Sequence, residues 1–375
     1  MRPVFSRLRS ADLLLILSIF ALVCFGLAAI YSVELSQTDG EFLNVKKQAI
    51  AAAIGLAGFF FAALSNNRLL RNYAFVLYLS GVVLMLAVLV FGKEIRGTTG
   101  WFAFGPVSFQ PVEWMKVVLA VALAAYMSNR ARPDVGRREL LETGVIVGIP
   151  VGLTMLQPDL GSSLLLLGMW GVVLLVAGLK RRYIAVIIAS GIALSLLAWQ
   201  FFFKDYQRER IMTFINPSLD PGGEGYQVAQ AIIAVGAGGW LGRGLGFGSQ
   251  SQLKFLPESQ TDFIFAVIAE ELGFFGVSLV LGAFALLFAR LLIHASRTRD
   301  PFARVLFVAI FGVLFVQFVI NTGMNLGLLP VTGVTLPLVS YGGSSLIFTL
   351  FLLGIAVGMS ASAARGSHPT GAVVE

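Results

Sequence analysis

Apolar residues run for most of a membrane's thickness, give way to short polar joints, and resume, ten times: 13–31, 48–64, 73–92, 114–128, 143–156, 160–179, 183–203, 263–293, 302–321 and 344–363. A helix needs about 20 apolar residues to cross a bilayer. The pattern therefore predicts an all-α polytopic integral membrane protein of about ten transmembrane helices. The runs at 114 and 143 are short and are expected to border polar or protein-lined regions. About 11 residues precede the first run and about 12 follow the last, so a single membrane domain over 1–375 is expected. The run from Leu13 lacks a small-residue cleavage site and is followed by more spans, which makes it an anchor and not a removed signal peptide.

Composition agrees: 57% of residues are hydrophobic and 13% charged, with mean hydropathy +0.85, against about 25% charged in soluble domains. With the N-terminus in the cytoplasm, 17 of the 27 Lys and Arg fall on that side, nine on the other, and Lys116 within the membrane. This bias puts both termini inside. The formal charge of +7 then reads as topology and affinity for anionic headgroups, and no basic patch interleaved with exposed aromatics suggests nucleic acid. One cysteine, Cys24, excludes an internal disulfide or thiolate cage and reads as a packing residue. His294 and His368 fall on the cytoplasmic side and cannot serve an outer site.

Three outer segments stand out. Residues 93–112 and the long stretch 204–262 are where function is expected. The second, placed before the eighth helix, carries "NPSLDPGG" and "GAGGWLGRGLGFG" around "YQVAQAIIAV", which is too short to span and apolar enough to lie in the interface or re-enter. A structured loop is expected. The glycine-rich string lacks the Gly-Lys-Ser/Thr ending of a phosphate loop, which excludes ATP binding there. The third, "GLLPVTGVTLPLVSYGGSS", cannot form a continuous helix and is too apolar for a solvated loop, so it is expected to tuck into the protein. Gly144, Gly148 and Gly152 suit close helix packing.

Ionisable groups in a bilayer persist where they pair, face a wet cavity or act. Glu113 and Lys116, at i and i+3 after Pro111, share a helix face; a structural ion pair and a substrate contact both fit. Asp159 in "QPDLGSS" suits an N-cap. Glu270 and Glu271 lie eight and nine residues beyond Asp262, a depth that suits a cavity wall. Asp262, at the lip of "FIFAVIAEE", fits either a helix cap or a catalyst. With no outer histidine, a general base on that face is a carboxylate before it is Lys or Tyr. Arg96, Arg210, Arg243, Lys204 and Lys254 suit a pyrophosphate on a lipid, with interfacial snorkelling as the alternative, above all for Lys204.

The strings "RGTTGWFAFGPVSFQPVEWMK", "QPDLGSS", "RIMTFINPSLDPGGEGYQVAQ", "SQSQLKFLPESQTDFIFAVIAEELGFFG" and "NTGMNLGLLPVTGVTLPLVSYGGSS" resemble the shape, elongation, division and sporulation family of bacteria, from the first span to the last. The resemblance implies a ten-span fold in the cytoplasmic membrane. It implies polymerisation of lipid II, undecaprenyl-pyrophosphate-linked GlcNAc-MurNAc-pentapeptide, into β-1,4 glycan strands on the outer face. The family's essential aspartate falls on Asp262, its embedded Glu and Lys on Glu113 and Lys116, and its "QPDLG" aspartate on Asp159. Arg96, Arg210, Gln227, Lys254, Ser340 and Ser344, in the matched strings, join these as substrate-contact candidates. No cofactor is required by the motifs; a divalent cation, Mg or Mn, is one candidate source of positive charge. The implied partners are a single-span class B penicillin-binding transpeptidase and other elongation-complex membrane proteins. "NLGLLPVTG" leans toward the elongation branch, RodA, whereas "TLPLVSYGG" suits the division branch, FtsW, equally. Gln260 stands where many members have His, Val112 where Ser is usual, and Ala231 where Ser often follows Gln230. The first departure weakens any scheme in which an imidazole assists Asp262. A lipid II flippase and a scaffold that only activates its partner are the competing classes.

Overall fold

The computed structural model describes residues 12–35, 42–65, 67–95, 98–105, 107–130, 135–201, 205–216, 220 and 222–366. In chain order the elements are α1 (Leu13–Glu34), α2 (Leu43–Leu64), α3 (Asn67–Asn72), α4 (Ala74–Phe91), β1 (Lys93–Ile95), β2 (Thr98–Phe104), β3 (Val107–Phe109), α5 (Pro111–Ser128), α6 (Arg137–Leu156), α7 (Leu160–Val176), α8 (Arg181–Phe201), α9 (Asp205–Ile215), α10 (Glu224–Ala237), α11 (Ser249–Gln252), α12 (Ile264–Arg297), α13 (Pro301–Asn325) and α14 (Gly343–Gly366). Each predicted apolar run coincides, over most of its described residues, with a helix. Among the described residues eight helices, α1, α2, α4, α5, α6, α12, α13 and α14, are long and apolar enough to cross a membrane. The other two runs form α7, of 17 residues, and α8, of 21.

The multi-span helical fold carries one feature the hydropathy pattern did not predict. Three strands, β1, β2 and β3, form an antiparallel sheet in that order, with Phe102 opposite Phe109 and Gly105 turning at positive φ between them. The last strand delivers the chain to Pro111, the first residue of α5, where a missing N–H costs nothing.

α5 is the enclosed centre: Val118, Leu119 and Ala120 have no exposure. It packs on α4 and α13, while α12 packs on α1 and α13, and α2 runs along α14. The α2–α14 contact is close because a Cβ on Gly354 would stand 2.3 Å from the Phe59 carbonyl oxygen. Two expectations fail here. Of the three glycines expected to pack closely, only Gly144 meets a neighbouring helix, where a Cβ would stand 3.8 Å from the Trp170 ring, and Gly148 and Gly152 face open space; Cys24 is exposed on α1 and not packed inside. Lipid-facing surface accepts small apolar residues at no packing gain, so composition alone did not separate the two cases.

The described part of the 204–262 stretch is structured, as expected, and contains α9, α10 and α11. Ala231 and Ala234 of α10 pack with Phe263, Ala266 and Val267 at the start of α12. The glycine-rich string then descends along α12 to a break at Gly273, where φ is 64° and ψ −163°. That break lies about 14 Å below Ile264 at 1.5 Å per residue. Backbone groups freed at such depth need partners. Arg243 N donates to Glu270 O at 3.0 Å and Gly244 N to Glu271 O at 2.9 Å, while Phe274 N and Phe275 N donate to Gly239 O and Trp240 O at 2.8 and 3.1 Å. Glycine is required for that approach: a Cβ on Gly238 would stand 1.8 Å from the Ala269 carbonyl oxygen.

At the other end of α12, Arg290 Nε and His294 Nε2 meet Asp12 Oδ2 at 2.5 and 2.7 Å. Asp12 also caps α1 by accepting from Leu14 N and Leu15 N. Burial raises the Asp12 pKa, but the hydrogen bonds from Arg290 and His294 prevail and hold the carboxyl below its usual range. The start of α1 and the end of α12 therefore share one end of the bundle, as the Lys and Arg pattern requires.

Candidate functional site

The segment leading into α12 is a tight turn organised by Glu258, whose φ is 54°. Its carbonyl oxygen accepts from Thr261 N, Asp262 N and Phe263 N at 3.1, 3.1 and 3.2 Å, and its carboxylate accepts from Thr261 Oγ1 at 2.8 Å. Phe263, not Asp262, stands at the N-cap of α12. Asp262 is half-buried.

The backbone of the turn at 260–262 is gripped from two sides. On one, Asn321 Nδ2 and Asn325 Nδ2 of α13 each donate to Asp262 O at 2.9 Å. On the other, Ser340 Oγ donates to Thr261 O at 2.6 Å and Tyr341 N to Gln260 O at 2.8 Å. The Gln260 side chain accepts from Asn44 Nδ2 of α2 at 2.8 Å, and Gln48 of the same helix donates to Ser340 O at 3.1 Å and accepts from Gly342 N at 3.1 Å. At Gln260, the departure from the family pattern, the side chain is a tie to α2. The third outer segment does tuck inward: Leu336, Leu338 and Val339 are buried.

Across from Asp262 the same segment turns at Gly333, where φ is 70° and a Cβ would stand 3.9 Å from Asp262 Oδ2. Thr332, one residue earlier, and Arg210 of α9 line a hollow with Pro158, Leu160 and Ile211. Arg210 also borders a second hollow walled by Phe214, Val228, Ile232 and Val331. One cation thus overlooks two adjoining apolar recesses a residue away from the carboxylate's neighbourhood. Thr332 Oγ1, on the first recess, is buried without a hydrogen-bond partner.

Glu113 and Lys116 form a buried ion pair, Nζ to Oε2 2.7 Å, with side chains 9% and 6% exposed. Lys116 Nζ also lies 3.5 Å from Gln317 Oε1, whose amide donates to Thr335 O at 2.9 Å. The pair lines a small cavity with Phe348 and Thr349. It reaches the Asp262 region through α13.

The remaining candidates divide. Asp159 caps α7: it accepts from Ser162 N at 2.9 Å and Ser162 Oγ at 2.6 Å, and from Gln110 Nε2 at 3.2 Å, so its oxygens tie the start of α5 to α7. Ser340 is buried with its hydroxyl donating to Thr261 O and accepting from Leu336 N at 2.8 Å, which makes it a brace for the turn and not a surface for substrate. Ser344 is buried in the first turn of α14. Gln227 is half-buried on α10, and Lys254 is exposed. Arg96, like Lys204 and His368, lies outside the described residues. Glu270 and Glu271 do not line a cavity: at 0% and 1% exposure they hold the turn at 248–252. Glu270 accepts from Gln250 N at 2.9 Å, and Glu271 accepts from Ser32 Oγ at 2.5 Å and Gln252 Nε2 at 3.3 Å. Depth along a helix says nothing of what packs beside it. Among the described residues no group of three or more His, Cys, Asp or Glu is placed to hold a metal. Gln317, Asn321 and Asn325 went unrecognised in the sequence, although polar amides four apart in an apolar helix are a legible signal.

A multi-span helical bundle with a braced turn carrying Asp262, and with Arg210 bordering two recesses, defines a polytopic membrane protein. The chain belongs to the FtsW/RodA/SpoVE family, described as cell cycle protein, whose profile matches residues 12–365. It is 38% identical over 348 residues to peptidoglycan glycosyltransferase MrdB of Escherichia coli K12, covering 92% of each chain. It is 35% identical over 368 residues to a probable peptidoglycan glycosyltransferase FtsW of Trichlorobacter lovleyi, covering 95% of this chain and 94% of that one. A solved structure described as the structural coordination of polymerization and crosslinking by a peptidoglycan synthase complex superposes with TM-score 0.79 at 35% identity, over 94% of this chain and 98% of that one.

Proposed function

We propose that this chain is a peptidoglycan glycosyltransferase that polymerises lipid II at the outer face of the cytoplasmic membrane, with Asp262 as general base. The observation that carries this reading is the bracing of the turn that bears the half-buried Asp262: α13 holds the Asp262 carbonyl, while Ser340 and Tyr341 hold the carbonyls of Thr261 and Gln260 beside it. Asp262 accepts the proton of the acceptor sugar's 4-hydroxyl as that oxygen bonds to C1 of the donor MurNAc. The bond from C1 to the pyrophosphate oxygen breaks, configuration inverts, and undecaprenyl pyrophosphate leaves. A sugar hydroxyl is weakly acidic, so base and leaving-group help are both needed. In this reading Arg210, which borders both apolar recesses, meets the charge growing on the pyrophosphate while the recesses take the greasy carrier. Where a divalent cation binds, it would add positive charge to the same pyrophosphate.

The reading extends to the elongation branch, with both termini cytoplasmic and a class B penicillin-binding protein crosslinking the product; the relative solved in a peptidoglycan synthase complex supports such a partner. Purified protein with its partner in proteoliposomes, given labelled lipid II from outside, tests the activity. Glycan polymer formed without translocation is expected; translocation without polymer would replace the enzyme with a flippase. Depletion that rounds cells supports elongation, and filaments would move the chain to the division branch.

A further inference from the structure

Gln317, Asn321 and Asn325 sit four apart on α13 and so share one face of it. All three are buried, at 1%, 0% and 0% exposure. A buried amide is costly unless bonded, and amides that glue a membrane bundle bond to neighbouring helices. These amides chiefly bond elsewhere. Asn321 Nδ2 donates to both Asp262 O and Val334 O, at 2.9 and 2.8 Å. Asn325 donates to Asp262 O and accepts from Ala266 N at 3.0 Å. Gln317 donates to Thr335 O and meets Lys116.

One amide, that of Asn321, therefore sets the spacing between the Asp262 backbone and the strand-like segment at Gly333–Val334 that faces the carboxylate. We infer that Asn321 is a positioning residue: it holds the Asp262 carboxylate at a fixed distance from segment 333–335, with Asn325 as its second anchor and Gln317 linking that segment to the Glu113–Lys116 pair. This rests on Asp262 being the base. It also supplies a reason for a buried ion pair so far from the turn, since Gln317 and Asn321 lie on successive turns of one helix.

The test is a kinetic cycle on the purified complex with labelled lipid II, using Asn321→Leu, Asn321→Ser and Asp262→Glu, with thermal midpoints recorded for each. Misplacement by about 1 Å can cost on the order of 100-fold, so Asn321→Leu is expected to lower kcat 10- to 100-fold, in the range of that effect, at unchanged KM. Asn321→Ser, which keeps one donor and covers the case in which the leucine variant fails to fold, is expected to recover part of the loss. In the Asp262→Glu background, where the carboxylate is already displaced, either Asn321 substitution is expected to cost much less than in the wild type. Equal factors in both backgrounds, a rise in KM alone, or a loss that follows the midpoint with kcat per folded molecule unchanged would overturn the proposal. A wild-type rate in Asp262→Asn would overturn the base assignment instead, whatever the Asn321 variants do.

Discussion

Replacing Glu270 separates a clamp from a catalyst. Its side chain has no exposure and accepts from Ser249 Oγ at 3.1 Å, Gln250 N at 2.9 Å and Ser251 N at 3.3 Å. Glu270→Ala leaves those two backbone N–H groups without an acceptor, at about 1–3 kcal/mol each for a buried donor. Gln250 is half-buried while Ser251 is 2% exposed, so water recovers part of the loss at Gln250 alone, and about 3 kcal/mol is expected. For a chain of 375 residues the loss corresponds to a drop of about 4 °C in thermal midpoint. Glu270→Gln keeps one accepting oxygen and is expected to lose about half as much, on the same scale. The assay is intrinsic fluorescence of detergent-purified protein at fixed scan rate, with lipid II polymerisation measured on the folded fraction. An unchanged midpoint with polymerisation lost would refute the clamp and return Glu270 to the chemistry.

Three further outcomes follow from particular contacts. Because the folded Asp12 carboxyl is held below its usual range, its stabilising effect is complete above the unfolded value of about 3.9 and fades as pH falls through the folded value; Asp12→Asn should lower stability at pH 7 by about 2 kcal/mol of charge-assisted bonding, a difference that shrinks as pH falls below the unfolded value and through the lowered folded one. Gly354→Leu, facing the Phe59 carbonyl, should cost about 3 kcal/mol by forcing α2 from α14, whereas Gly148→Leu, into open space, should leave the midpoint nearly unmoved. The charge-swapped pair Glu113→Lys with Lys116→Glu should restore polymerisation lost in either single variant if the 2.7 Å bridge is structural; continued loss would point to direct substrate contact.

The helices were legible because apolar runs of membrane length are a strong signal, and the errors have local causes. α2 begins at Leu43, five residues before its apolar run, because Glu34 caps it by accepting from Asn44 N and Val45 N at 2.7 and 3.0 Å; Lys46 and Lys47 hid that first turn. The sheet at 93–109 uses strands as short as three residues, below what alternation can reveal. Within the site, Asp262 and the Glu113–Lys116 pair stood out as charges in apolar surroundings, and Asp159 sits at the cap its spacing suggested. Ser340 looked like a polar residue awaiting substrate, but its hydroxyl is committed to Thr261 and Leu336. Partners that distant along the chain leave no trace in spacing. The same holds for Asn321, whose bonds span 59 residues to Asp262.

The most direct measurement of the central claim is the polymerisation rate of Asp262→Asn in the purified complex with labelled lipid II. The substitution keeps the shape of the side chain and the backbone grip of Asn321 and Asn325 while removing the proton acceptor. A folded protein with polymerisation lowered by at least the 100-fold typical of a missing general base is expected; glycan strands made at the wild-type rate would contradict the account.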